Sequence, residues 1–188
     1  MEAANRNIIK YPVGDQSFES IREGGYLYID KTRYVDMIAN QGGKYFFLGR
    51  PRRFGKSLFL STLQCFFEGK RELFKGTYIY STDWNWEKHP VLYLDLNLKK
   101  YKQEGDLDIV LDYLFGRWEE QYGIEKKSND ASIRFANIIY QAYKASGEKG
   151  VVVLVDEYDK PLVNNLHDKK QLEYYRDKLG ATRSRTPG

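Results

Sequence analysis

The chain has 188 residues, of which 30% are charged and 41% hydrophobic, an ordinary composition for a globular domain with a real core. Its formal net charge of +4 is too small by itself to indicate a nucleic-acid partner. A single cysteine excludes a disulfide scaffold, and no apolar run approaches the roughly 20 residues that cross a bilayer, so we expect a cytoplasmic protein without a membrane partner.

The first predicted elements are a short strand and a helix. The strand covers residues 26–29, and Asp30 follows it as a candidate N-cap. The helix runs from about 31 to 40. Its expected apolar face consists of Tyr34, Val35 and Ile38.

A strand, a basic loop and a second helix come next. Residues 45–48 are aromatic and apolar without alternation, which predicts a strand buried on both faces. The loop covers 49–55, and the helix runs over 56–68 with Gly69 at its end. The expected apolar stripe of this helix is Leu60, Leu63, Phe66 and Phe67, and Cys65 is expected to be a core residue.

The second half of the chain repeats this alternation. Buried strands are predicted at 91–96 and 151–155, and helices at 107–122 and 131–145. Such an order indicates an α/β fold with a mainly parallel sheet. We expect one domain over 1–180 and a disordered tail over 181–188.

The loop before the second helix contains Gly55-Lys56-Ser57, the end of a phosphate-binding loop motif. In such a loop backbone N–H groups surround phosphate oxygens, the lysine neutralises the β and γ phosphates, and the serine hydroxyl binds Mg²⁺. We therefore take residues 53–58 as nucleotide-binding: Arg53, Phe54, Gly55, Lys56, Ser57 and Leu58. Arg50 stands where the usual motif has its first glycine, and a basic surface loop before an ordinary helix is the alternative.

The strand at 151–155 ends in Asp156-Glu157, as the Walker B strand of many ATPases does. Asp156 is the candidate Mg²⁺ ligand, together with Ser57, and Glu157 is the candidate base that activates water. The alternative is a buried strand that ends in solvated acids. Because a phosphate-binding loop and a metal-binding acid need each other, the two motifs together favour an ATPase.

Other polar groups keep two interpretations each. Arg52 and Arg53 could bind phosphate or nucleic acid, or lie in solvent. Asp159 and Asp95 could belong to a site, or serve as a turn residue and a strand cap. Residues 99–102, Lys-Lys-Tyr-Lys, could stack on and grip a single strand of nucleic acid, or form the solvated start of a helix.

Four segments resemble the bacterial AAA-ATPase-like family: residues 28–32, 45–58, 86–96 and 153–161. The string at 50–57, Arg-Pro-Arg-Arg-Phe-Gly-Lys-Ser, is the most specific, and in that family arginine is usual at position 50. The resemblance implies a P-loop NTPase sandwich, with phosphate binding by Gly55, Lys56 and Ser57 and catalysis and metal binding by Asp156 and Glu157. Members commonly continue with a sensor strand and a C-terminal nuclease-like domain.

The likeness ends near residue 177, so the chain resembles a truncated N-terminal copy. The expected function is ATP binding, with Mg²⁺-dependent hydrolysis that drives a switch or motor. The alternative is a module that binds nucleotide or nucleic acid without turnover, a remnant of such an ATPase. A chain without the sensor strand is expected to bind nucleotide and to hydrolyse it weakly.

Overall fold

The computed structural model describes residues 10–49 and 54–180, which form two compact units divided between Val91 and Leu92. Arg50, Arg52 and Arg53 lie outside the described residues, as does the predicted tail. The elements in chain order are α1 (Phe18–Glu23), α2 (Thr32–Asn40), α3 (Lys56–Phe67), β1 (Val91–Asp95), α4 (Asp106–Gln121), α5 (Ala131–Ala145), β2 (Val152–Asp156), α6 (Lys160–Val163) and α7 (Lys169–Gly180).

In the first unit, α3 packs against α1 and α2. Short 3₁₀ turns at Arg71–Phe74 and Ile79–Ser81 complete the unit. Its core is aromatic, because the Phe66 ring contacts the rings of Trp84 and Trp86 at centroid distances of 5.5 and 5.3 Å. This dense ring packing holds α3 in place.

Helix α3 lies where it was predicted, but its buried face differs from the predicted one. The buried residues are Phe59, Thr62, Leu63, Cys65 and Phe66, whereas the predicted stripe members Leu60 and Phe67 are half-buried. Cys65 is a core residue as expected, and burial raises the pKa of its thiol to about 12. Gly69 ends the helix with φ +71, and a Cβ there would lie 2.8 Å from the Trp86 carbonyl oxygen, so both backbone and space require glycine.

Asp30 lies one residue before the N-cap of α2, which is Lys31. Its carboxylate accepts hydrogen bonds from the N–H groups of Thr32 at 2.8 Å and Tyr78 at 2.7 Å. Burial raises the pKa of this carboxyl, but the two backbone hydrogen bonds outweigh burial and leave it below its ordinary value. Within α2 Val35 is buried as predicted, whereas Tyr34 is exposed.

Two predicted strands of the first unit are wrong. Residues 26–29 contribute only an isolated parallel bridge between Tyr26 and Lys10. Residues 45–48 form no strand, and Tyr45 and Phe47 are 95% and 75% exposed instead of buried. Aromatic composition favours a strand only where a neighbouring strand offers a ladder, and the described part of the chain offers none to these segments.

The second unit contains a small parallel sheet of β1 and β2, connected through α4 and α5. The pairing continues past β1, since Leu96 N–H donates to the Asp156 carbonyl at 3.1 Å. Helices α4 and α5 pack on each other, and the Phe115 ring stacks on Phe135 at 5.3 Å and on Trp118 at 6.1 Å. Strand and helix residues share one core: Leu92, Leu94, Leu107, Val110, Leu114, Ile138 and Tyr175.

The predicted elements of this unit are confirmed within one residue, and α5 has the predicted bounds. Helices α6 and α7 were not predicted. Helix α7 is rich in lysine and acids and shows little apolar periodicity, but Tyr175 anchors it, fully buried, with its hydroxyl donating to the Gln103 carbonyl at 2.6 Å. Over the described residues the fold class is therefore α/β, with a small parallel sheet of two strands.

Among the helices that the structure describes, none is long and apolar enough to cross a membrane. The cytoplasmic location stays a prediction.

Candidate functional site

The candidate phosphate-binding segment lies where α3 begins. Gly55 is the N-cap residue and has φ +74 and ψ +31, the left-handed region that favours glycine. A Cβ at this position would have no atom of the described residues within 4 Å, so the backbone conformation is the observed reason for the glycine. Gly55 turns the chain from the exposed Phe54 into the first turn of α3.

This turn leaves the N-terminus of α3 open to an anion. The first hydrogen bond of the helix joins Phe59 N–H to the Gly55 carbonyl at 3.0 Å, so the N–H groups of residues 56–58 precede the helical ladder. Within the described residues no side chain caps them. Together with the helix dipole, three free N–H groups form the type of site that binds phosphate.

The candidate acids lie at the carboxyl end of β2. Asp156 is 6% exposed, and both of its carboxylate oxygens accept hydrogen bonds. Oδ1 accepts from the Glu157 N–H at 2.9 Å, and Oδ2 accepts from the Tyr93 hydroxyl on the neighbouring strand at 3.1 Å. Burial, and then the charge of Asp156, raise the pKa of Tyr93 above its ordinary value, so the phenol keeps its proton and remains a donor.

Glu157 has a strained backbone. Its φ is +52, a conformation that costs a residue with a Cβ about 1–2 kcal/mol. Its carbonyl accepts from Lys160 N–H at 2.8 Å and so closes the turn that leads into α6. Strain of this kind occurs preferentially at functional sites, because the surrounding structure must hold it in place.

Asp156 is the candidate ligand for Mg²⁺ at the end of β2. In the described residues no three His, Cys, Asp or Glu side chains come together as an all-protein metal site. Magnesium usually takes one or two carboxylates and fills its other positions with phosphate oxygens and water. One oriented, buried aspartate at a strand end fits that pattern.

Asp95 and Asp159, which had two interpretations each, both have local structural roles. Asp95 Oδ1 accepts from Asn97 N–H at 2.8 Å, which caps the end of β1. Asp159 is the N-cap residue of α6, and its carbonyl accepts from the N–H groups of Leu162 and Val163. These contacts agree with the turn and cap interpretations.

The structure thus brings the sequence-predicted residues together in two groups. Gly55, Lys56, Ser57 and Leu58 surround the start of α3 in the first unit, and Asp156 and Glu157 end β2 in the second. Arg53 lies outside the described residues. Tyr93 was missed, although a tyrosine within a buried strand signals that its hydroxyl needs a polar partner.

Comparison of the chain with known proteins gives three findings. A family model described as predicted AAA-ATPase matches residues 12–184 of this chain. An uncharacterized protein from the vnfD 5′ region of Azotobacter chroococcum mcd 1 is 42% identical over 172 residues, which cover 90% of this chain and 33% of that protein. The chain therefore spans a third of the length of this relative. No solved structure matches significantly.

Proposed function

Because the chain belongs to the AAA-ATPase-like family, we propose that it binds ATP with Mg²⁺ and hydrolyses it, as the switch or motor module of a larger activity. The observation that carries this proposal is the open N-terminus of α3, where the left-handed Gly55 precedes Lys56 and Ser57. The strained acidic end of β2 is the second support.

The phosphates would lie on the first turn of α3. The N–H groups of residues 56–58 donate to phosphate oxygens, and the Lys56 ammonium neutralises charge on the β and γ phosphates. Ser57 and Asp156 would hold Mg²⁺, which supplies positive charge to the phosphate oxygens when it is bound. Arg53 and Phe54 would contact the nucleotide just before the helix.

Glu157 would act as the base in hydrolysis. Its carboxylate accepts a proton from water while the water oxygen forms a bond to the γ phosphorus. The bond from that phosphorus to the β–γ bridging oxygen breaks, and the products are ADP and inorganic phosphate. Asp156 keeps its orientation through Tyr93 and the Glu157 N–H.

The proposal also includes the full three-layer P-loop fold and a single domain over residues 1–180. Its support is the family membership and the presence of both half-sites, each at the start of a helix or the end of a strand.

The direct test is Lys56→Ala. Removing the ammonium should weaken Mg²⁺–ATP binding by roughly 10- to 150-fold, the equivalent of about 1.5–3 kcal/mol for a charge-assisted hydrogen bond. Isothermal titration of ATP measures the effect. The matched control is Lys44→Ala, which removes an exposed lysine of the same unit and should leave the affinity unchanged.

Equal affinities of wild type and Lys56→Ala would contradict nucleotide binding through this segment. Phosphate release by the wild type then separates the two functions. Binding with release supports the ATPase, whereas binding without release supports a nucleotide-binding module that has no turnover.

A further inference from the structure

The second unit contains a basic pocket that the proposed ATPase chemistry does not use. Its volume is about 460 Å³, and it is lined by residues 97–102 together with Lys160 and Asn164 of α6. Four of these eight residues are lysines: Lys99, Lys100, Lys102 and Lys160. The loop follows β1 and α6 follows β2, so the pocket lies at the carboxyl edge of the parallel sheet, where α/β proteins commonly bind ligands.

Buried side chains hold the loop of this pocket in one conformation. The Asp106 carboxylate, 2% exposed, accepts from the N–H groups of Lys102 and Gln103 at 2.8 and 3.0 Å. The Tyr101 hydroxyl donates to the Leu96 carbonyl at 2.7 Å, and Asn165 donates to the Tyr101 carbonyl at 2.9 Å. The backbone that carries Lys99, Lys100 and Lys102 is therefore preorganised, so a ligand does not have to order it.

Charge remains on this pocket after its internal pairing. Lys99 pairs with the buried Asp106 at 3.1 Å, which neutralises one lysine. The ammonium groups of Lys100, Lys102 and Lys160 have no carboxylate within 4 Å in residues 10–49 and 54–180. Three uncompensated positive charges around one concavity attract a polyanion.

We infer that this pocket binds the sugar-phosphate backbone of single-stranded nucleic acid. Lysine ammonium groups bind phosphate as point charges, whereas lysine is depleted in interfaces with proteins. The pocket has the size of a small-molecule site, so one nucleotide of a flexible strand fits where a rigid duplex does not. Leu98, 51% exposed, offers apolar surface to a sugar.

The contact is with the backbone and not with stacked bases. Tyr101, the aromatic residue of the lysine-rich segment, is 1% exposed and cannot stack on a base, which corrects the stacking interpretation of residues 99–102. The predicted helix start is also wrong here, because α4 begins only at Asp106. The binding is therefore expected to be independent of sequence and strongly dependent on salt.

The test replaces the three uncompensated lysines together, as Lys100→Gln/Lys102→Gln/Lys160→Gln. Fluorescence anisotropy with labelled oligothymidine, without ATP, measures affinity over a series of salt concentrations. Each lysine that contacts a phosphate of a single strand contributes about 0.7 to the slope of log affinity against log salt, so the slope should fall by about 2 in magnitude. The affinity at low salt should fall at least about tenfold.

The matched control removes the same charge elsewhere, as Lys44→Gln/Lys127→Gln/Lys169→Gln, all of which are exposed. It should keep the wild-type slope. Thermal unfolding and ATP titration of both triple variants are measured alongside, and the pocket variant should retain the fold and the ATP affinity. An equal loss of ATP affinity would assign the lysines to the nucleotide site and overturn the inference.

Three further outcomes would overturn it. One is a wild type that binds oligothymidine no better than the pocket variant does. Another is tighter binding of a duplex of the same length. The third is competition by polyglutamate as effective as by unlabelled oligothymidine, which would identify the partner as an acidic polypeptide. Failure of Lys56→Ala to affect ATP binding would leave this inference intact, since it uses a different set of residues.

Discussion

At the scale of single residues, Glu157 combines a candidate catalytic carboxylate with an unfavourable backbone conformation. Glu148 has the same problem, φ +67, but lies outside the candidate site, in the turn after α5. The two residues therefore form a natural matched pair. Their comparison separates backbone strain from chemistry.

We expect Glu157→Gly and Glu148→Gly each to raise the free energy of unfolding by up to about 1 kcal/mol, since glycine tolerates positive φ. Of the two glycine variants, only Glu157→Gly should stop phosphate release. Glu157→Gln should also stop release, but without the gain in stability. Urea unfolding and a phosphate-release assay measure both quantities. Phosphate release by Glu157→Gln at the wild-type rate would show that Glu157 is not the base.

Tyr93 provides a second test at this scale. Tyr93→Phe deletes the hydroxyl that donates to Asp156 Oδ2 and leaves the ring in β1. Because the freed carboxylate can turn, half-maximal ATP hydrolysis should require more Mg²⁺, with a stability loss of only about 0.5–1.5 kcal/mol. The control is Tyr113→Phe, on an exposed tyrosine of α4. An unchanged Mg²⁺ requirement would show that Tyr93 does not position Asp156.

At the scale of elements, α4 and α5 are joined by an ion pair inside their apolar contact. The Arg134 guanidinium, 6% exposed, donates to both carboxylate oxygens of Glu119 at 2.7 Å and also pairs with Asp112. Its hydrogen bonds hold the pKa of Glu119 below the ordinary value, and hydrogen bonds from Lys126 and then Arg134 lower the pKa of Asp112 in the same way. The two helices thus depend on ionised acids.

The pair predicts a pH dependence. Because the folded-state pKa values are lowered, its stabilisation is complete above about pH 4.5, the ordinary value for glutamate, and is lost as the pH falls through the lowered values. At neutral pH Arg134→Leu should cost about 3 kcal/mol, since it leaves Glu119 without its partner.

The double variant Arg134→Leu/Glu119→Leu should recover most of that loss, and its free energy of unfolding should fall less steeply at acid pH. Chemical denaturation over a pH series measures this free energy. Equal stability of the single and double variants would contradict the role of the pair.

The elements also show which structure the sequence could predict. Helix α5 was predictable because its apolar residues recur at helical spacing. The structure adds the reason for its first residue, since the Asp130 side chain caps the helix by accepting from Ser132 and Ile133 N–H. Strands β1 and β2 have each other as partners. Residues 45–48 have equal strand character but no such partner among the described residues, and partners are set by tertiary structure.

Part of the local structure at the candidate site was predictable. Gly55-Lys56-Ser57 predicts a helix start, and the structure has α3 beginning at Lys56 after the left-handed Gly55. Tyr93 reaches Asp156 across a ladder, 63 residues apart in sequence, and no local pattern encodes that contact. The lysine pocket was not predicted for the same reason, because Lys160 lies next to residues 97–102 only in the folded chain.

At the scale of the whole molecule, the chain divides its chemistry between two compact units. The first has an aromatic core around Phe66 and carries the candidate phosphate-binding residues at the start of α3. The second has a mixed aliphatic and aromatic core around a pair of strands and carries the acids at the end of β2. Each unit buries its own apolar residues, so a substitution in one core is expected to act first on the half-site that the same core supports.

The three tryptophans follow this division, which makes them optical reporters. Trp84 and Trp86 lie in the core of the first unit, and Trp118 stacks within the second. Trp118→Phe therefore leaves indole emission from the first unit alone, and Trp84→Phe/Trp86→Phe leaves it from the second unit alone. With these two variants, fluorescence can record whether the halves of the candidate site melt together or one after the other.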